Sequence, residues 1–249
     1  MPTRLDDLKT ALLLSGCFGA MASVTVPVML PHLPPEARQL SLPLPVFSAI
    51  LLIQATIIYG LFGFLGLRLA RASGIEPSPF FSALWTGRAL PALQLGYPLL
   101  IGLAAGIALV GSVTLIRLLA PTTLPETLHP PSPLAALLAS ASGSVGEEIL
   151  CRLLVLSGLL WCLPKTWHGK AIAVLVSALL FGALHAPACI FLFGGIGRVP
   201  PLAWCWLISL NGMLGVAFGM VYVRWGIGAA TIAHFGADLV WHVATQVAS

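Results

Sequence analysis

Long apolar runs recur along the chain, separated by short polar or proline-rich breaks. A helix that crosses a bilayer needs about 20 mostly apolar residues. Seven runs meet that length: residues 10–30, 45–67, 91–116, 134–161, 170–187, 202–223 and 226–247. The breaks carry turn chemistry. Residues 31–45 and 121–133 are proline-rich, 68–88 hold Gly74, Pro77 and Pro79, and 163–169 form a tight loop. Residues 194–201 part the fifth and sixth runs, and Arg224-Trp225-Gly226 turns between the sixth and seventh. The pattern predicts an all-α fold, a polytopic transmembrane helical bundle of about seven spans. No internal repeat is visible, and residues 1–249 read as a single transmembrane domain.

Composition agrees with this pattern. Hydrophobic residues make up 58% of the chain and charged residues 8%, and the mean hydropathy is +0.99. A soluble domain is usually about 25% charged, so this chain cannot cover a surface facing water. The net charge of +4 comes from basic residues at the ends of the apolar runs. It therefore reads as a topology signal rather than a nucleic-acid patch, and the bilayer is the expected partner. With the N-terminus in the cytoplasm, the inner segments hold Arg4, Lys9, Arg68, Arg71, Arg88, Lys165, Lys170 and Arg224. The outer segments then hold Arg38, Arg117 and Arg198. That imbalance favours a multi-pass protein of the cell (inner) membrane with a cytoplasmic N-terminus. Arg4 and Lys9 flank a long run with no clean small-residue cleavage site, so no signal peptide is expected. Cys17, Cys151, Cys162, Cys189 and Cys205 are scattered without a C-x-x-C. They predict neither a disulfide framework nor a cysteine zinc site, only small buried hydrophobes.

Against this apolar background a few polar residues stand out. Gly146-Glu147-Glu148-Ile149-Leu150-Cys151-Arg152 puts two carboxylates and a guanidinium inside the fourth run. An ionised side chain costs about 2.5–3.5 kcal/mol at a membrane helix centre, so such groups pair, line a cavity or do chemistry. Glu148 and Arg152 are i,i+4 and share a face, while Glu147 is turned by about 100°. The expected division is a buried Glu148–Arg152 pair with Glu147 free to face a cavity; one ion cluster that locks helix packing is the structural alternative. Phe181-Gly-Ala-Leu-His185 ends the fifth run just before Pro187, where a histidine is commonly a structural hydrogen-bonding group. His234-Phe-Gly-Ala-Asp238 sets a histidine and an aspartate at i,i+4, and His242 continues the stripe. A packing network or a proton path would also explain that stripe. His32, His129 and His168 fall in connectors and receive no role. Counted at 1.5 Å per residue, Glu147 and His185 both lie about 22 Å from the inner face. By the same count His234 lies nearer mid-bilayer, unless its helix tilts or begins late. Ser140, Ser142, Gly143, Ser144 and Gly146 allow close helix approach or a watery path to the carboxylates.

Two carboxylates and two histidines in an enclosed site suit peptide-bond hydrolysis. A carboxylate with a neighbouring histidine can take a proton from water and return it to the leaving amine. A second histidine and a polar neighbour can hold the oxyanion. Alternatively, Glu147, His185 and His234 could be three zinc ligands with water fourth. The residue types do not separate the two. H-E-x-x-H and G-x-S-x-G are absent, Ser142-Gly143 lacks the preceding glycine of a rhomboid-type site, and Asp238 is the one aspartate within the predicted spans.

At these residues the chain resembles a known family. Glu-Glu-x-x-x-Arg (Glu147, Glu148, Arg152), Phe-x-x-x-His (Phe181, His185) and His-x-x-x-Asp (His234, Asp238) fall in that order on successive late helices. The set resembles the CPBP family of CAAX-protease and bacteriocin-processing intramembrane proteins, over about residues 134–242. The resemblance implies that Glu147 and His185 activate water, that His234 and Asp238 form the oxyanion site, and that Arg152 supports the glutamate pair. It implies a glutamic-type peptidase, for which metal dependence has also been argued. Some members carry Asn where this chain has Asp238, and an ionised Asp cannot donate to an oxyanion. The expectation is an intramembrane endopeptidase acting on a peptide or membrane-protein substrate, with no cofactor and with zinc as the alternative. Two rivals come from other classes: a non-catalytic scaffold or immunity protein, and a proton-coupled transporter using Glu147, Glu148, Asp238 and His242.

Overall fold

A computed structural model describes residues 3–32, 38–89, 93–121, 124 and 132–247. Parts of the two proline-rich connectors, His129 included, lie outside the described residues. The elements are α1 (Arg4–Met29), α2 (Leu44–Ala72), α3 (Pro79–Thr86), α4 (Leu93–Leu119) and α5 (Pro133–Glu148). A π-helical stretch, Ile149–Leu156, continues α5 into α6 (Ser157–Cys162). Then follow α7 (Trp167–Leu184), α8 (Ala186–Leu192), α9 (Pro201–Trp225) and α10 (Ile227–Val247). No strand occurs among the described residues. Five helical segments are long and apolar enough to cross a membrane by length and composition: α1, α2, α4, α7 with α8, and α9. The rod from α5 to α6 and helix α10 complete the seven predicted runs. They are the two that carry the ionisable groups of the Glu-Glu and His-x-x-x-Asp motifs. The protein is an all-α, polytopic integral membrane bundle.

Two local expectations need correction. The first helix starts at Arg4, not at residue 10. Thr3 caps it by accepting from Asp6 N–H while Asp6 accepts from Thr3 N–H at 2.8 Å. Asp7 is then buried inside the helix, within 3.3 Å of Arg68 and 2.9 Å of Arg71. Arg71 reaches on to Glu76 at 2.7 Å and Ser78 at 3.2 Å. These charges flank the apolar run in sequence, so period and hydropathy place them outside it, yet their pairing is what ties α1 to the end of α2. The second correction is α3, which lies inside the stretch expected to be a bare connector. Its proline start and its left-handed Gly87 end (φ 64°) make a single two-turn helix.

Helix α3 positions α10. The carbonyl of Pro77 accepts the Ile227 N–H at 2.7 Å, and Phe80 lies against Gly228. Gly226, at φ 80°, leaves no space for a Cβ beside Pro77 and Pro79. Seven residues separate Ile227 from His234, against 15 from Glu147 to Cys162, so α10 begins about 12 Å deeper than α6 ends. The late start brings His234 to the level of Glu147.

In lipid, apolar surface gains little by meeting other apolar surface, so close backbone approach holds the helices. A Cβ at Gly102 of α4 would strike the carbonyl of Ala233, and one at Gly106 would come within 2.7 Å of the Ala237 carbonyl. This seam fixes the strip of α10 that carries His234 and Asp238. Leu67, Leu153, Leu156, Phe218, Tyr222 and Ile227 form the fully buried centre. Cys151 and Cys189 are buried, but Cys17, Cys162 and Cys205 are exposed, contrary to expectation. Apolar neighbours in a membrane bundle signify lipid contact as often as burial.

Candidate active site

The site begins where the rod from α5 widens. Directly after Glu148 the helix takes π geometry, whose wider turn loosens the usual carbonyl pairing. Neighbouring hydroxyls satisfy the shifted groups. Ser157 donates to the Arg152 carbonyl at 3.1 Å, and Ser177 of α7 donates to the Cys151 carbonyl at 2.9 Å. Ser157 and Tyr222 of α9 share a further hydrogen bond at 2.7 Å. The sequence carries no periodic sign of this stretch. Its serines are the trace, because each is a buried hydroxyl in an apolar run.

Arg152 and Glu148 are both fully buried, with Nε and Oε2 3.3 Å apart. The contact is an ion pair whose angle falls short of a hydrogen bond, so its attraction is chiefly Coulombic. The guanidinium gains further partners. It donates to the Gly215 carbonyl at 3.3 Å and lies over the Phe181 ring, 4.5 Å from the centroid, with Phe218 at 5.8 Å. Aromatic faces stabilise a desolvated cation by about 2 kcal/mol or more. Phe181 of the Phe-x-x-x-His motif therefore serves Arg152 as well as its own histidine.

The two histidines are each held from behind. His185 sits in the turn between α7 and α8, with Nδ1 2.9 Å from the Phe181 carbonyl. His234 has Nδ1 2.9 Å from Oε1 of Glu148 and stacks on Phe218 at 4.7 Å. With Nδ1 engaged, both Nε2 atoms turn toward Oε2 of Glu147, at 3.9 Å for His185 and 3.8 Å for His234. Asp238 Oδ2 is 3.6 Å from His234 Nε2. Exposure separates the carboxylates: the Glu148 side chain is 0% accessible, Asp238 26% and Glu147 40%. Glu148 is thus a buried anchor shared by Arg152 and His234, and Glu147 faces open space. Glu147, Glu148, Arg152, His185, His234 and Asp238 stand in one cluster. Three carboxylates against one guanidinium leave negative charge that the histidines and bound protons must offset.

That open space is a cavity of about 310 Å³, near the lower end of small-molecule sites. Its floor carries Glu147, His185, His234 and Asp238. Its walls are mainly apolar, with Leu192, Leu207, Leu214 and Trp241 among them, and Gly143 beside Glu147 leaves room at the floor. His242 lines it too. Two wall residues escaped the sequence reading. Asn211 of α9 donates to the Leu207 carbonyl at 2.9 Å, and Trp206 has a buried ring N–H with no hydrogen-bond partner among the described residues. An amide inside an apolar run was the available signal for Asn211; nothing marks Trp206 among the tryptophans of the chain.

The alternative zinc set can be tested against this geometry. Tetrahedral ligands about 2.0–2.1 Å from zinc stand roughly 3.3 Å apart. The separations of 3.9 and 3.8 Å from Glu147 to the imidazoles are wider. No group of three or more His, Cys, Asp or Glu with metal-holding geometry occurs among the described residues. The donor types and their outward-held Nδ1 atoms suit a metal, but the set must contract to hold one.

Residues 129–240 match the family described as type II CAAX prenyl endopeptidase Rce1-like. The matched segment contains every motif of the cluster, and the resemblance to the CAAX-protease families read from those motifs is borne out. Neither the curated proteins nor the solved structures compared with this chain match it.

Proposed function

We propose that this protein is an intramembrane endopeptidase that hydrolyses a peptide bond at the floor of the cavity, with water activated by Glu147 and His185. The observation that supports this most is the position of Glu147 Oε2, 3.9 and 3.8 Å from two imidazole nitrogens. Those distances are too long for direct hydrogen bonds. Oε2 is enclosed and has no hydrogen-bond partner among the described residues, and a nucleophilic water about 2.8 Å from it and from an imidazole nitrogen would supply one.

The steps follow from the donors. Glu147 and His185 take a proton as the water oxygen bonds to the scissile carbonyl carbon, and the carbonyl π pair moves onto oxygen. The resulting oxyanion is met by His234 Nε2–H in its doubly protonated form, with Glu148 on Nδ1 as counter-charge. Collapse of the tetrahedral species breaks the C–N bond, and the proton held by Glu147 and His185 passes to the leaving amine. Asp238 orients His234 or, when protonated, donates beside it. A zinc ion held by Glu147, His185 and His234 would instead polarise the carbonyl and its own water. The CAAX name of the matched family makes a lipid-anchored C-terminus one candidate substrate, beside leader peptides and membrane proteins.

The test is cleavage of a fluorogenic transmembrane reporter by purified protein in liposomes, with metal content measured on the same sample. Cleavage that survives chelation in zinc-free protein supports the glutamate mechanism. Stoichiometric zinc, lost together with activity, supports the metal mechanism. No cleavage of any reporter in folded protein contradicts the peptidase reading.

A further inference from the structure

Among the described residues the cavity extends from its floor toward one end of the bundle. Wall residues beyond the catalytic floor lie toward the end that holds Pro121, Leu124, Ser132 and residues 193–200: Ala139, Leu192, Ala203, Trp206, Asn211 and His242. Toward the opposite end the floor is sealed by Leu153, Leu156, Tyr222 and Ile227, each 0% exposed. Contacts at that sealed end confirm that it is a single face. Lys165 donates to the Ala72 carbonyl at 3.1 Å, Asp7 meets Arg68 and Arg71, and Pro77 meets Ile227. The sealed end carries Arg4, Lys9, Arg68, Arg71, Arg88, Lys165, Lys170 and Arg224, while the open end carries Arg38, Arg117 and Arg198. Lysine and arginine in short connectors are retained in the cytoplasm. The charge bias thus argues for a cytoplasmic sealed face and a cavity mouth on the opposite side.

We infer that the substrate is a polypeptide segment presented from the non-cytoplasmic face, such as a translocated leader or a segment bordering an exported domain, rather than a cytoplasmic C-terminus. The inference rests on the peptidase reading for its chemistry and on charge distribution for its direction. The wall has matching groups. The unpartnered Trp206 N–H can donate to a backbone carbonyl, and the Asn211 side-chain oxygen, left over when its amide nitrogen bonds Leu207, can accept a backbone N–H. The two lie five positions apart on α9, between the mouth and the floor.

Two measurements test it. In full-length protein with the native cysteines replaced, Gly197→Cys and His168→Cys place single thiols at the open and sealed ends. Gly197 has no atom near its missing Cβ, and His168 is exposed. A membrane-impermeant maleimide should label Gly197→Cys in intact cells and His168→Cys only after permeabilisation. If the cysteine-free background does not fold, a short epitope inserted at the same two positions of the native chain gives the same readout through antibody access. Reversed labelling, or labelling of both thiols from outside, overturns the inference. In parallel, one cleavable segment is fused to a membrane anchor either on the translocated or on the cytoplasmic side. Cleavage of the translocated form alone, abolished by Glu147→Gln, is expected; preferential cleavage of the cytoplasmic form overturns the inference. Cleavage of neither counts against the peptidase reading, and labelling then decides the face by itself.

Discussion

The Oε1 atom of Glu148 lies 2.9 Å from Nδ1 of His234, so the carboxylate with no access to the cavity aims the histidine that faces it. Oε2 of the same side chain pairs with Arg152 at 3.3 Å. Glu148 thereby joins three elements: the rod that carries it, α10 through His234, and α9 through the Arg152–Gly215 contact. Losing this residue should disturb catalysis and packing together. Glu148→Ala should lower kcat and thermal stability, and Glu148→Gln, which keeps an acceptor for His234, should recover part of kcat. Equal kcat in the two variants would show that the acceptor on His234 is unimportant.

Arg152→Ala removes the guanidinium of a buried pair and leaves Glu148 with only its bond to His234 among the described side chains. The expected loss is about 3–5 kcal/mol, seen as a lower midpoint in detergent unfolding and a lower folded yield. Combining it with Glu148→Gln removes the stranded charge and should restore part of the midpoint. An Arg152→Ala midpoint equal to wild type would refute the pairing.

Asp238→Asn separates two chemistries. Asn keeps the shape and adds an N–H donor beside His234, so under the glutamate mechanism the change should be tolerated or should raise activity. If a metal depends on this cluster, metal affinity and activity should fall together. Paired metal analysis and turnover on both proteins give the answer.

The α4–α10 seam offers a stability comparison. Gly102→Ala drives a methyl into the Ala233 carbonyl next to His234, whereas Gly111→Ala meets no atom within 4 Å. Overpacking of this kind costs about 1–3 kcal/mol. The first variant should lose stability and turnover, and the second should lose neither, since alanine suits a helix better than glycine. Unfolding midpoints measured side by side check both.

Much of this architecture is legible in sequence because a bilayer permits few backbone solutions: helix length and hydropathy mark five of the seven expected runs, and the other two are the ones that carry the Glu-Glu and His-x-x-x-Asp motifs. The partition of the diacid is legible as well, since i,i+4 spacing places Glu148 with Arg152 and turns Glu147 away. Three features escape for stated reasons. The π stretch leaves no periodic trace because a widened turn changes hydrogen bonding before it changes hydropathy. Helix α3 is too short and too close to prolines to stand out from a connector. The Glu148–His234 bond joins residues 86 positions apart, and local spacing carries no information about it. The depth of His234 followed the same rule. Counting from its turn places it wrongly until α3 is seen beneath α10.

The most direct test of the central claim is turnover of a liposome-reconstituted transmembrane reporter by purified wild type and Glu147→Gln. Gln fills the same space beside His185 and His234 but cannot take a proton from water. The account predicts unchanged insertion and unfolding midpoint, with turnover lower by about 10²–10⁴-fold. Near-normal turnover by a correctly folded Glu147→Gln protein would contradict it.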